Sequence, residues 1–317
     1  MSSRSLKDVS ASVHQRLLNV AKETQRPFNE MLQCFAMERF LYRFSRFPSA
    51  NSFVLKGALL FRVWDVPDSR ATRDIDFLAY VDNSPANLAA IFREVCTIDD
   101  PDDGLIFDPD TIEAKRIKED ADYEGVRIRL RGQLGNAQVV IQIDVGFGDL
   151  IHPSAVQADY PALLGLPAPS LRMYPPETVV AEKAEAMVHL GGLNSRMKDF
   201  YDIWRLSQHC DFQGKTLREA VRGTFQNRDT EVVEFDDLMA ELLDNANFEK
   251  LWTAFLRKSV LTGPENFVEV LIAISKFLSP IFAAVRNDDS TDGAWSAPGP
   301  WKKGVHLAMV PRLHDRP

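Results

Sequence analysis

The sequence is short of cysteine, of histidine pairs and of positive charge, and each shortage removes a class of function. Its three cysteines, Cys34, Cys96 and Cys210, have no pairing or metal-ligand spacing and sit in segments that read as helical. That argues against a disulfide framework or a zinc site and for a reducing, cytoplasmic location. The six histidines (His14, His152, His189, His209, His306, His314) show no ligand pairing and are assigned no chemistry. A formal charge of −8 excludes a chain that coats nucleic acid indiscriminately, because such binding rests on neutralising many phosphates. No apolar run approaches the length a bilayer demands, and MSSRSLKDVSASVHQ lacks the apolar centre of a signal peptide. Neither export nor a membrane is expected.

What the chain does have is the composition of one or two globular domains: 317 residues, 45% apolar and 26% charged. Apolar residues at helical spacing (Val13, Leu17, Leu18, Phe28, Leu32, Phe35, Phe40, Leu41) predict two or three helices over residues 1–50, packing on the core. An α/β core follows over 51–150. It has a short strand at 52–55, a helix of about two turns from Gly57 to Trp64, a strand at 74–81 and a helix opened by Pro85 and running to Cys96. Three extended stretches come next, 111–117, 125–131 and 137–145, the last two joined as a hairpin. Prolines between His152 and Pro176 break the pattern, and a helical domain over 151–286 follows, with helices near 177–190 and 195–209. The tail, 287–317, is expected to be loosely ordered apart from local docking of Trp295 or Trp301.

Chemistry centres on RDID. On a strand of period two, Asp74 and Asp76 project to one face with α-carbons roughly 7 Å apart. Two like charges there suit a magnesium ion, with manganese as the alternative, completed by water and substrate phosphate. A capped turn at Asp74 and an ion pair of Asp76 with Arg73 explain the same spacing. Asp144 stands in the apolar strand VVIQIDVGF, where a lone carboxylate is costly to bury. As a third acid it would hold a second ion or take the proton of an attacking hydroxyl; as a bland one it is hydrogen-bonded near a strand end. Lys56-Gly57-Ala58 marks a strand-to-helix junction where backbone N–H groups can approach a phosphate, or a tight turn. Arg70 and Arg73 flank the acid pair, where they could grip a triphosphate, and Arg127, Arg129 and Arg131 alternate along a strand, either toward an RNA backbone or as a solvated face.

Gly57, then Asp74-x-Asp76, then Asp144 on a later strand resembles the minimal nucleotidyltransferase fold of the DNA polymerase β superfamily. Gly57-Ala58 stands where that superfamily has Gly-Ser, so a hydroxyl is missing there unless Ser69 or Thr72 supplies it. With FVLKGALLFRVW, RATRDIDFLAY, IQIDVGFGD and YPPETVVAEKAEAMVHLGGLNSRMKDFYDIWRL, the chain resembles the AbiEii/AbiGii toxin family of nucleotidyltransferases, MenT-like members included, from the N-terminal helices to about Leu206. The resemblance implies an α+β fold, a mixed sheet flanked by helices with a C-terminal helical domain. It implies a catalytic set of Asp74, Asp76, Asp144, Lys183 and Asp199. Nucleotide contacts would come from Lys56, Gly57, Ala58, Thr72, Arg73 and Lys183. It implies a nucleoside triphosphate substrate, an RNA acceptor such as a tRNA 3′ end, and a cognate antitoxin, often a winged-helix repressor.

Each role has a plain alternative. Lys183 reads equally as a solvated helix lysine between Glu182 and Glu185. Asp199, favoured for the site over Asp202, reads as an ion-pair partner of Arg196 or Arg205. Two other function classes remain open: a glycosyltransferase using Asp-x-Asp for a nucleotide sugar, and a non-catalytic module that binds a nucleotide such as GTP.

Overall fold

A computed structural model describes residues 6–67, 70, 72–100, 102–120, 123–259 and 261–303. It divides into two compact units that interleave along the chain rather than following the linear boundaries at 50, 150 and 286. The first comprises 1–63, 71–148 and 157–173; the second comprises 64–70, 149–156 and 174–317.

In the first unit, helices α1 (Leu6–Glu23) and α2 (Phe28–Ser45) precede β1 (Phe53–Lys56), a single helical turn α3 (Leu60–Val63), β2 (Asp74–Ala79) and α4 (Pro85–Cys96). Pro85 opens α4 and Ser84 caps it by accepting from the Asn87 N–H. The strands β3 (Leu105–Asp120), β4 (Tyr123–Leu134) and β5 (Ala137–Gly146) form an antiparallel meander, and the short β6 (Val156–Asp159) and β7 (Ser170–Met173) follow. They build one mixed sheet in the order β3-β4-β5-β2-β1-β7-β6.

One face of that sheet is a phenylalanine core. Phe44 of α2 lies 4.8 Å from Phe77 and 5.8 Å from Phe92, and Phe40 meets Phe107 edge-on at 5.3 Å. Period two then sends Asp74, Asp76 and Asp144 to the opposite face. Helix α2 is fixed to the loop before β3 by a buried ionic cluster: Arg39 pairs with Asp100 at 2.6 Å and Asp103 at 3.3 Å, and Arg43 reaches Asp103 at 2.6 Å. Glu38, alongside, has its carboxyl pushed up by burial, although the Leu163 N–H and Arg39 favour its charge.

The second unit holds α5 (Pro176–Leu190), α6 (Met197–His209), α7 (Gly214–Asn227), α8 (Phe235–Asp244), α9 (Asn247–Ser259) and α10 (Phe267–Arg286). Contrary to the expectation that no apolar run is long enough, α10 has the length and hydropathy to cross a membrane. Within this unit it is a core helix interrupted by Pro280, with Val270, Ile274, Phe277 and Ile281 buried. In the described part of the tail, residues 287–303, two short strands accompany the docking of Trp295 and Trp301. Residues 293–295 (β9) and 301–303 (β10) join β8 (Phe212–Gln213) in a small sheet. Trp295 donates to the Ser207 carbonyl at 2.7 Å, and Trp301 stacks on Phe277 and donates to its carbonyl at 2.9 Å.

Candidate active site

The carboxylates of the first unit converge because β2 and β5 run side by side. Asp76 stands in register with Asp144, and one oxygen from each of Asp74, Asp76 and Asp144 lies within 4.8 Å of the others. Asp144 is 5% exposed, whereas Asp74 and Asp76 are half-buried. Gly57, at the end of β1, has φ +81°, and a Cβ there would fall 2.0 Å from Asp76 Oδ2. No other residue type fits so close to the carboxylate. The turn after it is shorter than expected: α3 is one turn, not two, so a helix dipole contributes little to an anion site here.

The expected nucleotide contacts divide. Lys56 and Ala58 are buried, Arg73 is exposed, and Thr72 uses its hydroxyl to donate to Asp74 Oδ1. Ser69 lies outside the described residues. Arg127 departs from its reading as an RNA contact. Its Nε and Nη2 fork Asp144 at 2.8 and 2.7 Å, and Arg129 donates to Gln142 Oε1 at 3.0 and 3.2 Å. Asp144 is therefore not a lone acid. Sequence carried no signal for that pair, since it depends on the register of β4 against β5.

In the second unit, Lys183 Nζ lies 2.7 Å from Asp199 Oδ1 and 2.8 Å from Asp202 Oδ2. Arg196 Nε closes on Asp199 Oδ2 at 2.7 Å. Arg70, expected at the nucleotide phosphates, instead pairs with Asp202 at 3.1 Å. Lys183 is thus neither solvated nor tied to Glu182 or Glu185, and Asp202 is as close to it as Asp199 is. Burial would lower the Lys183 pKa, but the Asp199 and Asp202 charges outweigh it and raise the value. Burial likewise opposes the Asp199 charge, and Lys183 and Arg196 overcome it, holding the carboxyl below its usual range. A further half-buried group carries no motif in the sequence: Arg228 meets Asp149 and Glu185 at 2.8 Å each and ties α5 to the end of α7.

The profile of the nucleotidyl transferase AbiEii toxin of type IV toxin–antitoxin systems matches residues 39–278, well over half of the chain. The chain belongs to the AbiEii family. No curated protein matches it. Among solved structures this AbiEii chain is similar to JHP933 from Helicobacter pylori, with 15% identity, a TM-score of 0.44, and coverage of 79% of this chain and 90% of that one. It is also similar to a candidate nucleotidyltransferase from H. pylori, with 14% identity, a TM-score of 0.43, and coverage of 80% and 94%.

AbiEii membership makes the protein a nucleotidyltransferase with a nucleotide substrate and a cognate antitoxin. The residues present fit the divalent ion that such enzymes usually employ. Three carboxylates converge on one point, the donor set is all oxygen, and the Gly57 backbone leaves Asp76 the space a side chain would take.

Proposed function

We propose that the protein transfers a nucleoside monophosphate from a nucleoside triphosphate to an RNA hydroxyl, the 3′ end of a tRNA being the favoured acceptor. The observation that carries this reading is the convergence of Asp74, Asp76 and Asp144 beside Gly57. The acceptor oxygen bonds to the α-phosphorus, the bond from that phosphorus to the bridging oxygen breaks, pyrophosphate departs, and the hydroxyl proton passes to water. Asp74 and Asp76, with Asp144 beside them, would hold magnesium, or manganese in its place. The ion supplies charge neutralisation at the reacting phosphate. Lys183 is assigned to the nucleotide phosphates and Asp199 to keeping that lysine charged and oriented. The antitoxin is proposed to be a winged-helix repressor.

One observation favours a second reading, nucleotide binding without turnover: both oxygens of Asp144 already accept from Arg127. A single experiment separates the two. Purified protein incubated with each labelled nucleoside triphosphate, magnesium and total RNA should label an RNA band, and Asp76→Ala should not. Tight nucleotide binding with no labelled RNA across several acceptors would sink the transferase reading and leave the binding module.

A further inference from the structure

The carboxylate centre carries its own cations. Register across the sheet sets Lys56 opposite Asp76, Asp76 beside Asp144, and Asp144 opposite Arg127. Cross-strand partners share a face, so two acids stand in one row between two bases. Asp74 lies outside that row, two residues before Asp76. Formally, three carboxylates against Lys56 and Arg127 leave one negative charge for an incoming ion.

The Arg127 contact is the specific one. Its guanidinium donates to Oδ1 at 2.8 Å and to Oδ2 at 2.7 Å, and Gln142 Nε2 adds a donor to Oδ2 at 3.4 Å. Arg129 in turn holds the Gln142 amide through its oxygen. A bidentate guanidinium occupies both oxygens in the plane of the carboxylate, the strongest arrangement a side chain can offer it. A divalent ion bound through Asp144 would have to take the lone pair these donors leave on Oδ1, beside the positive guanidinium that already neutralises the carboxylate. Asp74, by contrast, accepts from the neutral Thr72 hydroxyl, a weaker donor for an ion to displace.

We propose that Arg127 is the resident counter-cation of Asp144. In the nucleotide-free protein it keeps the third carboxylate out of metal coordination, so a single divalent ion enters through Asp74 and Asp76. Asp144 then acts by positioning Arg127 and by its charge, as a second-row partner of the ion rather than a ligand. This rests on the nucleotidyltransferase reading of the same centre.

Manganese titrated into nucleotide-free protein, with the free ion followed by electron paramagnetic resonance, tests it without any turnover. Asp144→Asn, which removes a charge but no ligand, should weaken Mn2+ binding by less than about tenfold, far less than Asp76→Asn does. Arg127→Met should bind about tenfold more tightly, because a freed Asp144 becomes a ligand. Arg127→Lys, which reaches one oxygen only, should fall between, about threefold tighter, and decides the matter if Arg127→Met does not fold. Loss of Mn2+ binding in Asp144→Asn as complete as in Asp76→Asn, or no tightening in the Arg127 variants, overturns the proposal. Wild-type Mn2+ binding by Asp76→Asn would instead overturn the metal centre itself, a separate result.

Discussion

Gly57 is packed so closely against Asp76 that the carboxylate oxygen occupies the place of a side chain. Gly57→Ala therefore meets two penalties: a left-handed φ of +81°, worth about 1–2 kcal/mol for a residue with a Cβ, and a Cβ 2.0 Å from Oδ2 that must push Asp76 aside. The variant should melt lower by a few degrees and keep less than about a tenth of the wild-type transfer when assayed below its melting point. Ala58→Ser, which restores the hydroxyl found in the wider superfamily, should not share the loss. Thermal unfolding and labelled-nucleotide transfer on both variants check this.

The aspartates were legible because each broke a local rule. Two acids one residue apart on a strand, and a third in an otherwise apolar strand, are expensive arrangements unless they serve something. What was not legible is tertiary. Arg127 finds Asp144, and Arg129 finds Gln142, only once the β4–β5 register is set, and a strand of alternating arginines looks the same whether it faces RNA or its neighbours. Arg70 pairs with Asp202 across 132 residues of sequence. The strands β6 and β7 have four residues each and hide in a proline-rich passage. Helix α10 does not read as a long apolar run because Ser275, Lys276, Ser279 and Pro280 interrupt it, although its mean hydropathy remains high.

Asp76→Asn should separate stability from activity. Three carboxylates within 4.8 Å repel one another in the ion-free protein, so removing one charge relieves strain in the fold. The melting temperature without divalent ion should equal or exceed that of the wild type, while transfer falls by at least about 100-fold. A variant that melts well below the wild type would show Asp76 to be a structural acid instead. Parallel melts with and without magnesium make the distinction, since only the wild type should gain stability from the ion.

Lys183→Met leaves Asp199 and Asp202 buried without their shared lysine and should cost about 3 kcal/mol at neutral pH. The pH dependence follows from the two shifts. Asp199 ionises in the fold below its usual value of 3.8, so its contribution is present above that value and is lost as pH falls through the depressed one. Lys183 is raised above 10.5, so its contribution is complete below 10.5 and is lost only as pH rises through the raised value. The gap in stability between wild type and Lys183→Met should therefore hold across neutral pH and close in acid. Urea unfolding of both proteins over a pH series reads it directly; a gap that widened in acid would contradict the ion-pair assignment.

Arg129 and Arg131 lie on the strand beside the carboxylate-bearing β5, exposed, and Arg129 is hydrogen-bonded to the neutral Gln142 amide. Arg127, by contrast, has its charge met by Asp144. If phosphates of an RNA acceptor pass over this face, the outer two arginines feel them and the inner one does not. The double variant Arg129→Ala, Arg131→Ala should raise KM for RNA while leaving KM for the nucleotide near the wild-type value. Its RNA affinity should also depend less steeply on salt, the slope of log K against log salt falling by about 1 for each phosphate no longer neutralised. An equal rise in both KM values would mean that the substitutions had disturbed Gln142 and the centre behind it, and an unchanged salt slope would send the acceptor to another surface.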